Sequence, residues 1–415
     1  MENNRICIIG GGAAGMMAAI SAAEAGAQAV LYEKNDRMGK KLRITGKGRC
    51  NVTNDCDLNT FLTNVPTNPR FLYAALSRFS TADTIDFFEG LGVPLKTERG
   101  RRVFPVSDKA ADIVAAMEKK CRAMGVEILH RKVQGLLIED GRVSGVALAA
   151  GQEDRADAVI LCTGGRSYPL TGSDGDGYRF AEAVGHRVEP VFGSLVPLVA
   201  EGKLCASMQG LSLKNVSLRM IERQTGKTVY EDFGELMFTH FGLTGPLVLS
   251  ASAHLASITA GKYEAQIDLK PALDEKTLNA RLLSDFAKYQ NRDIINALGD
   301  LLPQKMIQPF ILLCQIDPRK KINSITREER ERMIQTLKCL SVSIKGFRPI
   351  EEAIVTRGGI SVKEINPKTM GSKLVQDLYF AGEVIDVDAY TGGFNLQIAF
   401  STGVLAGSSA AYGDQ

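Results

Sequence analysis

The sequence lacks the features that would place the chain in a membrane or in a disulfide-rich class. No long apolar run occurs: the first, Ile6 to Ile9, is interrupted at once by glycines, and the stretch from Ile398 to Ala411 is broken by glycine, serine and threonine. The eight cysteines form no CxxC pair, and a chain of 415 residues needs no disulfide framework. We therefore expect a cytoplasmic protein with no signal peptide and no membrane partner.

Net charge and histidine are also too sparse to define a function by themselves. Lys and Arg total 50 against 47 Asp and Glu, and a net charge of +3 does not imply a nucleic-acid or membrane partner. The length allows two domains with separate cores. The histidines show no metal-ligand spacing, so we expect no bound metal; they are His130, His186, His240 and His254.

The beginning of the chain has the pattern of a βαβ unit. Arg5 to Ile9 is a short β-branched run, and the Ala-rich stretch from Met16 to Ala25 is typical of a helix. Ala29 to Glu33 then reads as a second buried strand. Strand, glycine turn, helix and strand follow in the order of a dinucleotide-binding fold.

The GxGxxG turn between the first strand and the helix predicts a dinucleotide site. Gly10 would allow the tight turn, Gly12 would let the backbone approach a pyrophosphate, and Gly15 would let helix and strand pack closely. The helix N-terminus would face the phosphate charge. Glu33 would accept a hydrogen bond from a ribose hydroxyl, which favours FAD or NAD over a 2′-phosphorylated nucleotide. The alternative is a turn that binds no ligand.

The far end of the chain favours FAD over NAD. An apolar strand ending at Gly382 and Glu383 is followed by a second glycine turn and a helix start near Asn395. If both ends of the chain join one sheet, this helix N-terminus would place partial positive charge beside a flavin. The alternative is an apolar C-terminal helix packed in the core.

A basic, glycine-rich segment follows the βαβ unit. From Arg37 to Arg49 it contains six cations and no acid, which indicates an anion such as the FAD pyrophosphate or a substrate phosphate; a solvated loop is the alternative. These cations would lower the pKa of Cys50 and make it a candidate proton donor or nucleophile, unless it is a small buried thiol. We expect the loop from Lys40 to Asn54 to link cofactor and substrate.

Two further features bear on the substrate. His240, in the segment from Phe238 to Pro246, is the other acid/base candidate, although a turn histidine satisfied by backbone is the more common case. The basic groups Arg99 to Arg102 and Arg319 to Lys321 would suit RNA. Each alone is more often a solvated face, and no RRM, KH or zinc signature accompanies them.

The remaining pattern predicts an α/β fold with an insert. Residues 71–125 look mainly helical, residues 126–148 read as two strands around a turn at Asp140 and Gly141, and residues 158–162 form another buried strand. The expected layout is a FAD-binding domain at residues 1–190 and 351–415, and an insert domain for substrate at residues 191–350, with strands at about 191–270 and helices at about 271–345.

These segments together resemble a bacterial flavoprotein family, the FAD-binding oxidoreductases of the aminoacetone-oxidase or bile-acid-reductase type. The match runs nearly end to end and is carried by Gly10 to Gly15, Thr45 to Asn54, Phe238 to Pro246, and Ala381 to Asp388 with Thr391 to Gln397. The resemblance implies a discontinuous Rossmann-like FAD domain of the glutathione-reductase type, interrupted by a β-barrel and helical insert. Members have been linked to reduction of conjugated C=C bonds, amine oxidation and dihydrouridine formation in ribosomal RNA, so the resemblance leaves the substrate open.

Our first functional hypothesis is a FAD-dependent reductase of an activated C=C bond, with uridine in ribosomal RNA as substrate and Cys50 or His240 as proton donor. The alternatives are a small-molecule enone reductase, an amine oxidase using O2, and a flavin-binding protein without catalysis. No second strand-GxGxxG-helix unit occurs, so NAD(P)H is expected only as a transient reductant. The residues expected to hold FAD are Gly10, Gly12, Ala13, Ala14, Gly15, Glu33, Lys34, Lys40, Lys41, Gly46, Arg49, Asn51, Val133, Thr163, Gly164, Gly382, Glu383, Asn395 and Leu396.

Overall fold

The computed structural model describes residues 4–255 and 259–413. The chain divides into two compact units: the first comprises residues 1–194 and 350–415, and the second comprises residues 195–349. The sequence placed these boundaries near residues 190 and 350. None of the helices within the described ranges is long and apolar enough to cross a membrane.

The described elements are named here in chain order. The strands are β1 Arg5–Ile9, β2 Gln28–Tyr32, β3 Thr53–Asn54, β4 Leu95–Glu98, β5 Arg102–Pro105, β6 Glu127–Leu129, β7 Val133–Glu139, β8 Arg142–Leu148, β9 Glu153–Arg155, β10 Ala158–Leu161, β11 Val188–Ser194, β12 Leu198–Ala200, β13 Ser212–Glu222, β14 Lys227–Phe238, β15 Gly242–Thr244, β16 Tyr263–Asp268, β17 Leu340–Phe347, β18 Val355–Ile360 and β19 Leu378–Phe380. The α-helices are α1 Ala13–Glu24, α2 Lys40–Ile44, α3 Leu58–Thr63, α4 Tyr73–Arg78, α5 Thr81–Gly90, α6 Ala110–Ala123, α7 Asp176–Ala183, α8 Leu204–Ser207, α9 Pro246–Ser252, α10 Glu275–Lys288, α11 Gln304–Leu313, α12 Arg327–Lys338 and α13 Phe394–Tyr412.

The first unit is built on a five-stranded parallel sheet in the order β19-β10-β1-β2-β6. Apart from the first residues of β1, β2 and β6, which are Arg5, Gln28 and Glu127, its strands are apolar, as expected for a sheet covered on both faces. In register, Ile8 of β1 pairs with Leu31 of β2 on one side and Ile160 of β10 on the other. The strand order reverses between β1 and β10, which is the place where doubly wound sheets bind dinucleotides. The expected Rossmann-like fold is confirmed.

The two ends of the chain meet in this sheet and in the helix pair above it. Helices α1 and α13 lie so close that a Cβ added at Gly403 would be 2.5 Å from the carbonyl oxygen of Ala14. At Gly407 it would be 2.2 Å from the oxygen of Ala18. Small residues on both helices therefore permit a backbone approach that larger side chains would prevent.

Three smaller sheets complete the first unit: β3-β5-β4, β7-β8-β9 and β11-β18. The turn expected at Asp140 and Gly141 joins β7 to β8, and both residues have positive φ, 49° and 77°. The expectation of a mainly helical stretch over residues 71–125 was wrong for β4 and β5. These strands carry Lys96, Glu98 and Arg102, so they lack the apolar alternation by which a strand is recognised.

The second unit is a closed barrel in the order β12-β15-β14-β13-β16-β17, accompanied by helices α10, α11 and α12. Its interior is apolar, with Leu218, Ala265 and Ile344 fully buried. The expectation of strands followed by helices missed β17, which pairs with β12 and β16 and so closes the barrel. The local sequence does carry a strand signal that this expectation overlooked, since Leu340, Val342 and Ile344 alternate with polar residues.

Candidate cofactor site

The expected cofactor residues converge at one edge of the parallel sheet. Four strands end there, and each is followed at once by predicted site residues: β1 by Gly10, β2 by Glu33, β10 by Thr163 and Gly164, and β19 by Gly382 with Glu383. The carboxyl ends of parallel strands meet at the same edge, where open α/β sheets bind their ligands. The topology therefore assembles residues from both ends of the chain.

The glycine turn has the geometry that each of its glycines was expected to provide. Gly10 has φ of 109°, and a Cβ there would lie 2.4 Å from the Cys162 carbonyl oxygen. A Cβ at Gly15 would lie 1.8 Å from the Gly10 oxygen, so helix and strand pack closely. A Cβ at Gly12, by contrast, would meet no atom within 4 Å. This open space beside the backbone is where a pyrophosphate can approach.

Helix α1 begins next to this space. Its N-cap is Gly12, with no side-chain cap and no acid in the first turn, so the N–H groups around Ala13 and Ala14 have no competing side-chain acceptor there. Ala14 is buried, and a Cβ at Gly382 would lie 2.8 Å from its Cβ. The second glycine segment therefore packs directly on the first.

The Glu33 carboxylate is buried and held by backbone and side-chain donors. Glu33 Oε2 accepts the Gly11 N–H at 2.9 Å, and Oε1 accepts the N–H of Asn35 at 2.8 Å and its side-chain amide at 2.6 Å. Only 6% of the residue is exposed. This fixed acceptor at the end of β2 suits the ribose hydroxyl of an adenosine.

In the basic segment from Arg37 to Arg49, more of the positive charge is neutralised by ion pairs than the sequence indicated. Lys40 pairs with Asp36 at 2.8 Å, Lys41 with Glu383 at 2.5 Å, and Arg49 with Glu98 and Asp108, both at 2.5 Å. The Arg49 guanidinium also lies 4.2 Å from the centre of the Phe104 ring. Three of the six cations are thus ion-paired, and the partners of Lys41 and Arg49 come from elsewhere in the fold.

Lys34 is ion-paired as well. Its ammonium lies 2.6 Å from Asp174 and 2.9 Å from Asp176, in the loop and helix that follow β10. The contact joins the end of β2 to the segment after β10, on the two sides of the strand-order reversal. Lys34 therefore stabilises the edge of the site in addition to the cofactor role predicted for it.

The expected lowering of the Cys50 pKa was wrong. The thiol is fully buried, and burial raises its pKa to about 12, against a smaller lowering by the Thr45 hydroxyl. The nearest cation in sequence, Arg49, is paired with Glu98 and Asp108 and does not compensate a thiolate. Desolvation therefore outweighs the local positive charge, and the side chain stays a neutral thiol.

Polar atoms without protein partners lie at two of the predicted cofactor positions. Asn51 Oδ1 and Thr163 Oγ1 are buried and accept no hydrogen bond from the described residues. Asn51 follows a loop in which Gly46 has φ of 56°. A Cβ at Gly46 would lie 3.0 Å from the Asn51 backbone nitrogen. Buried polar atoms are normally paired, so these two are available to a bound ligand. With the open space at Gly12, they fit a bound FAD.

The C-terminal glycine turn and the basic segment contact each other. Helix α13 begins after Gly393, where a Cβ would lie 2.3 Å from the Thr53 carbonyl carbon. Asn54 Nδ2 donates to the Gly392 oxygen at 3.0 Å, and Thr53 Oγ1 donates to Gln397 at 2.6 Å. Two segments separated by more than 300 residues thus form one structure beside the helix N-terminus.

Asn395 stabilises this turn instead of projecting away from it. Its side-chain oxygen accepts the Ala389 N–H at 2.9 Å, and its amide donates to the Ala389 oxygen at 2.7 Å. The first turn of α13 contains no acid, and Leu396 there is half-buried. The helix N-terminus expected near Asn395 is confirmed in position. Its flavin contact stays a prediction.

A buried polar network around Glu383 was not found from the sequence. Glu383 Oε1 accepts the Thr356 N–H at 2.8 Å and the Ser167 hydroxyl at 3.1 Å, while Lys41 donates to Ser167 at 2.6 Å. Thr356 Oγ1 accepts the N–H groups of Arg166 at 2.8 Å and Ser167 at 3.1 Å. Ser167 and Thr356 stand in unremarkable local sequence, so only the fold reveals them.

The remaining candidates are Val133 and His240. Val133 is buried at the start of β7. His240 belongs to the second unit, where it is exposed in the turn between β14 and β15 with its ring against Phe241. Within the described ranges, no group of three or more His, Cys, Asp or Glu residues could hold a metal ion.

This fold and this site define a FAD-dependent oxidoreductase of the Rossmann type. The chain belongs to the HI0933-like family: the family described as "HI0933-like protein Rossmann domain" matches residues 4–409. The match covers both parts of the first unit and the insert between them.

Two relatives of this chain cover nearly its whole length. A 3-dehydro-bile acid delta(4,6)-reductase from Clostridium scindens is 33% identical over 419 residues, covering 98% of this chain and 99% of the relative. A ribosomal RNA dihydrouridine synthase from Escherichia coli is 30% identical over 403 residues, covering 97% and 96%.

Solved structures share the fold at low sequence identity. A 3-ketosteroid delta1-dehydrogenase from Sterolibacterium denitrificans aligns with a TM-score of 0.51 at 13% identity, covering 99% of this chain and all of the other. A flavocytochrome c3 fumarate reductase aligns with a TM-score of 0.51 at 16% identity, covering 99% and 78%. At these identities the likeness extends to the fold alone.

Proposed function

We propose that this protein uses bound FAD to reduce an activated C=C bond, and that the substrate is uridine in ribosomal RNA. The observation that carries the proposal is the shared chemistry of its two near-full-length relatives. One is named as a reductase of double bonds in a 3-dehydro-bile acid, and the other as a synthase of dihydrouridine. Both names denote the addition of hydrogen across a C=C bond conjugated with a carbonyl group.

When bound, FAD supplies the hydride for this reaction. The chain's own residues bind and orient it: the backbone at Gly12 receives the pyrophosphate, and Glu33 accepts the ribose hydroxyl. Asn51 and Thr163 offer unpaired polar atoms. The proton donor stays a prediction with two candidates, Cys50 and His240. Burial raises the pKa of the Cys50 thiol to about 12, which argues against a thiolate nucleophile.

An exposed basic hairpin supports RNA over a small neutral substrate. Arg99, Arg101 and Arg102 lie at the β4–β5 turn of the first unit and are all exposed. The other basic cluster is less available, since Lys320 pairs with Glu329 and Lys321 with Asp293. Unpaired arginines attract a polyanion.

Dihydrouridine content of ribosomal RNA tests the substrate. We expect a deletion strain to lose dihydrouridine by mass spectrometry, the wild-type gene to restore it, and a Gly12→Ala gene not to restore it, because the added methyl group fills the space for the pyrophosphate. Unchanged dihydrouridine in the deletion strain would reject the RNA substrate.

A small-molecule enone reductase is the second candidate, and the 33% identity to the bile-acid reductase favours it. The two candidates separate with one purified enzyme and two substrates. Reduction of a steroid dienone at a rate at least comparable with that of ribosomal RNA would support the second candidate. Reduction of RNA alone would support the first.

We also infer that NAD(P)H is the transient reductant. The first βα turn of a dinucleotide fold carries the phosphate-binding glycines, and in the first unit this turn is proposed to hold FAD, which leaves NAD(P)H only a transient contact. Stopped-flow mixing of the oxidised enzyme with NADH or NADPH should bleach the flavin absorbance. If neither nucleotide reduces the flavin, the electrons come from another donor.

A further inference from the structure

The β4–β5 hairpin presents three arginines that its neighbours leave uncompensated. Arg99, Arg101 and Arg102 are exposed, and none of the three has a carboxylate within ion-pair distance in the described part of the chain. On the same small sheet, Lys96 and Arg49 are paired with Glu98 and Asp108. The cations of this sheet therefore fall into a compensated group and a free group at the turn.

The backbone of the free group is held in a defined conformation. The backbones of Glu98 and Arg102 are paired in register across the hairpin. Gly100 and Arg101 between them both have positive φ, 77° and 57°. Arg102 Nε donates to the Arg99 carbonyl oxygen at 3.0 Å, and its guanidinium stacks 5.8 Å from the Phe104 ring centre. A turn fixed in this way loses less entropy on binding than a mobile loop.

The hairpin is joined directly to the turn that opens α13. The Asn54 amide donates to the Gly100 oxygen at 3.0 Å and to the Gly392 oxygen at 3.0 Å. The Asp55 N–H also donates to the Arg101 oxygen at 2.8 Å. A single side chain thus links the arginine turn to the glycine turn that begins the cofactor-facing helix. Anything bound to the arginines is positioned relative to that helix.

We propose that Arg99, Arg101 and Arg102 form a binding surface for the phosphodiester backbone of single-stranded RNA, and that this surface positions the RNA whose base is reduced. The inference rests on the proposed function. Three free guanidinium groups on one turn exceed what a neutral or singly charged small substrate needs, whereas successive phosphates use each of them. Through its hydrogen bonds to Gly100 and Gly392, Asn54 then fixes the bound RNA backbone relative to the turn that begins α13.

The test is RNA binding by the FAD-loaded enzyme. Fluorescence anisotropy with a labelled single-stranded fragment of ribosomal RNA would be measured across a salt series for the wild type and for Arg99→Gln/Arg101→Gln/Arg102→Gln. We expect the triple variant to bind about tenfold more weakly, and its slope of log Kd against log salt to fall by about two, since each phosphate contact to a single strand contributes about 0.7. The control removes the same charge from exposed lysines on other elements, by Lys119→Gln/Lys363→Gln/Lys368→Gln.

The outcomes separate the surface from the function. Weaker RNA binding by the triple variant alone, with an unchanged flavin spectrum and unchanged reduction by NAD(P)H, supports the surface. Equal RNA affinity in the wild type and the triple variant overturns it, as does an equal loss in the control. If the wild type binds RNA through these arginines but forms no dihydrouridine, the surface stands and the proposed reaction fails.

Discussion

The Lys41 ammonium lies 2.5 Å from Glu383 Oε2, although 342 residues separate the two in sequence. Both side chains are about one-fifth exposed, so their attraction is screened less than that of a surface pair. Lys41 comes from the first helix after the βαβ unit, and Glu383 comes from the end of β19. The ion pair therefore holds together two segments that were both expected to contact FAD.

Removal of the Lys41 ammonium should weaken FAD binding. In Lys41→Met the Glu383 carboxylate loses its counter-ion, and we expect the Kd for FAD to rise about tenfold, corresponding to about 1.4 kcal/mol. Quenching of FAD fluorescence during titration of the apoprotein measures this. Lys119→Met is the matched control, because Lys119 is exposed on α6 and is not among the residues expected to hold FAD; a similar effect in both variants would contradict a specific role for Lys41.

Thr356 should act through its hydroxyl and not through its size. Thr356→Val leaves the N–H groups of Arg166 and Ser167 without their acceptor, and we expect a loss of about 2 kcal/mol of stability. Thr356→Ser keeps the acceptor and should restore most of the loss. The measurement is the Tm of the apoprotein, for which a fall of about 4 °C is expected in the valine variant. A valine variant as stable as the serine variant would show that the hydroxyl is dispensable.

Gly12→Ala and Gly15→Ala should fail in different ways. A methyl group at Gly12 meets no protein atom, so this variant should fold with a nearly unchanged Tm but bind FAD poorly. A methyl group at Gly15 would overlap the Gly10 oxygen, so that variant should lose stability even without FAD. Circular dichroism of the apoproteins and FAD titration distinguish the two. If Gly12→Ala binds FAD normally, the pyrophosphate does not bind at this turn.

Burial of Cys50 should make the protein less stable at alkaline pH. Its pKa is raised by burial from 9.0 to about 12, so only the unfolded chain releases the proton between these values. The contribution is therefore complete below pH 9 and is lost as pH rises toward 12. Cys50→Ala should reduce the loss of unfolding free energy between pH 9 and 10.5 by about 2 kcal/mol, relative to Cys339→Ala, in urea titrations. Equal alkaline loss in both variants would contradict a buried, neutral thiol.

The sequence alone was sufficient for the elements whose signal is local. The glycine turn, the Ala-rich helix and the buried strand ending before Glu33 are contiguous, so their order in the chain is their order in space. The start of α13 was equally readable, because two glycines precede a stretch that is rich in apolar and small residues and contains no charged residue. These local signals were enough to predict both parts of the first unit.

The remaining features depend on distant partners. Whether Lys41 and Arg49 are free cations depends on Glu383, Glu98 and Asp108, and no local pattern reports a partner that arrives from another part of the fold. The same holds for Cys50, whose pKa follows from burial and not from neighbouring charges in sequence.

The position of β19 at the edge of the parallel sheet has a consequence for synthesis in the cell. Strand β10 pairs with β19 on that side, and α1 packs against α13, so the first unit lacks these two layers until β19 and α13 have been translated. The barrel unit is complete once β17 has left the ribosome. Translation therefore finishes the insert before the domain that surrounds it in sequence, and the predicted FAD site can form only after β19 and α13 have been made.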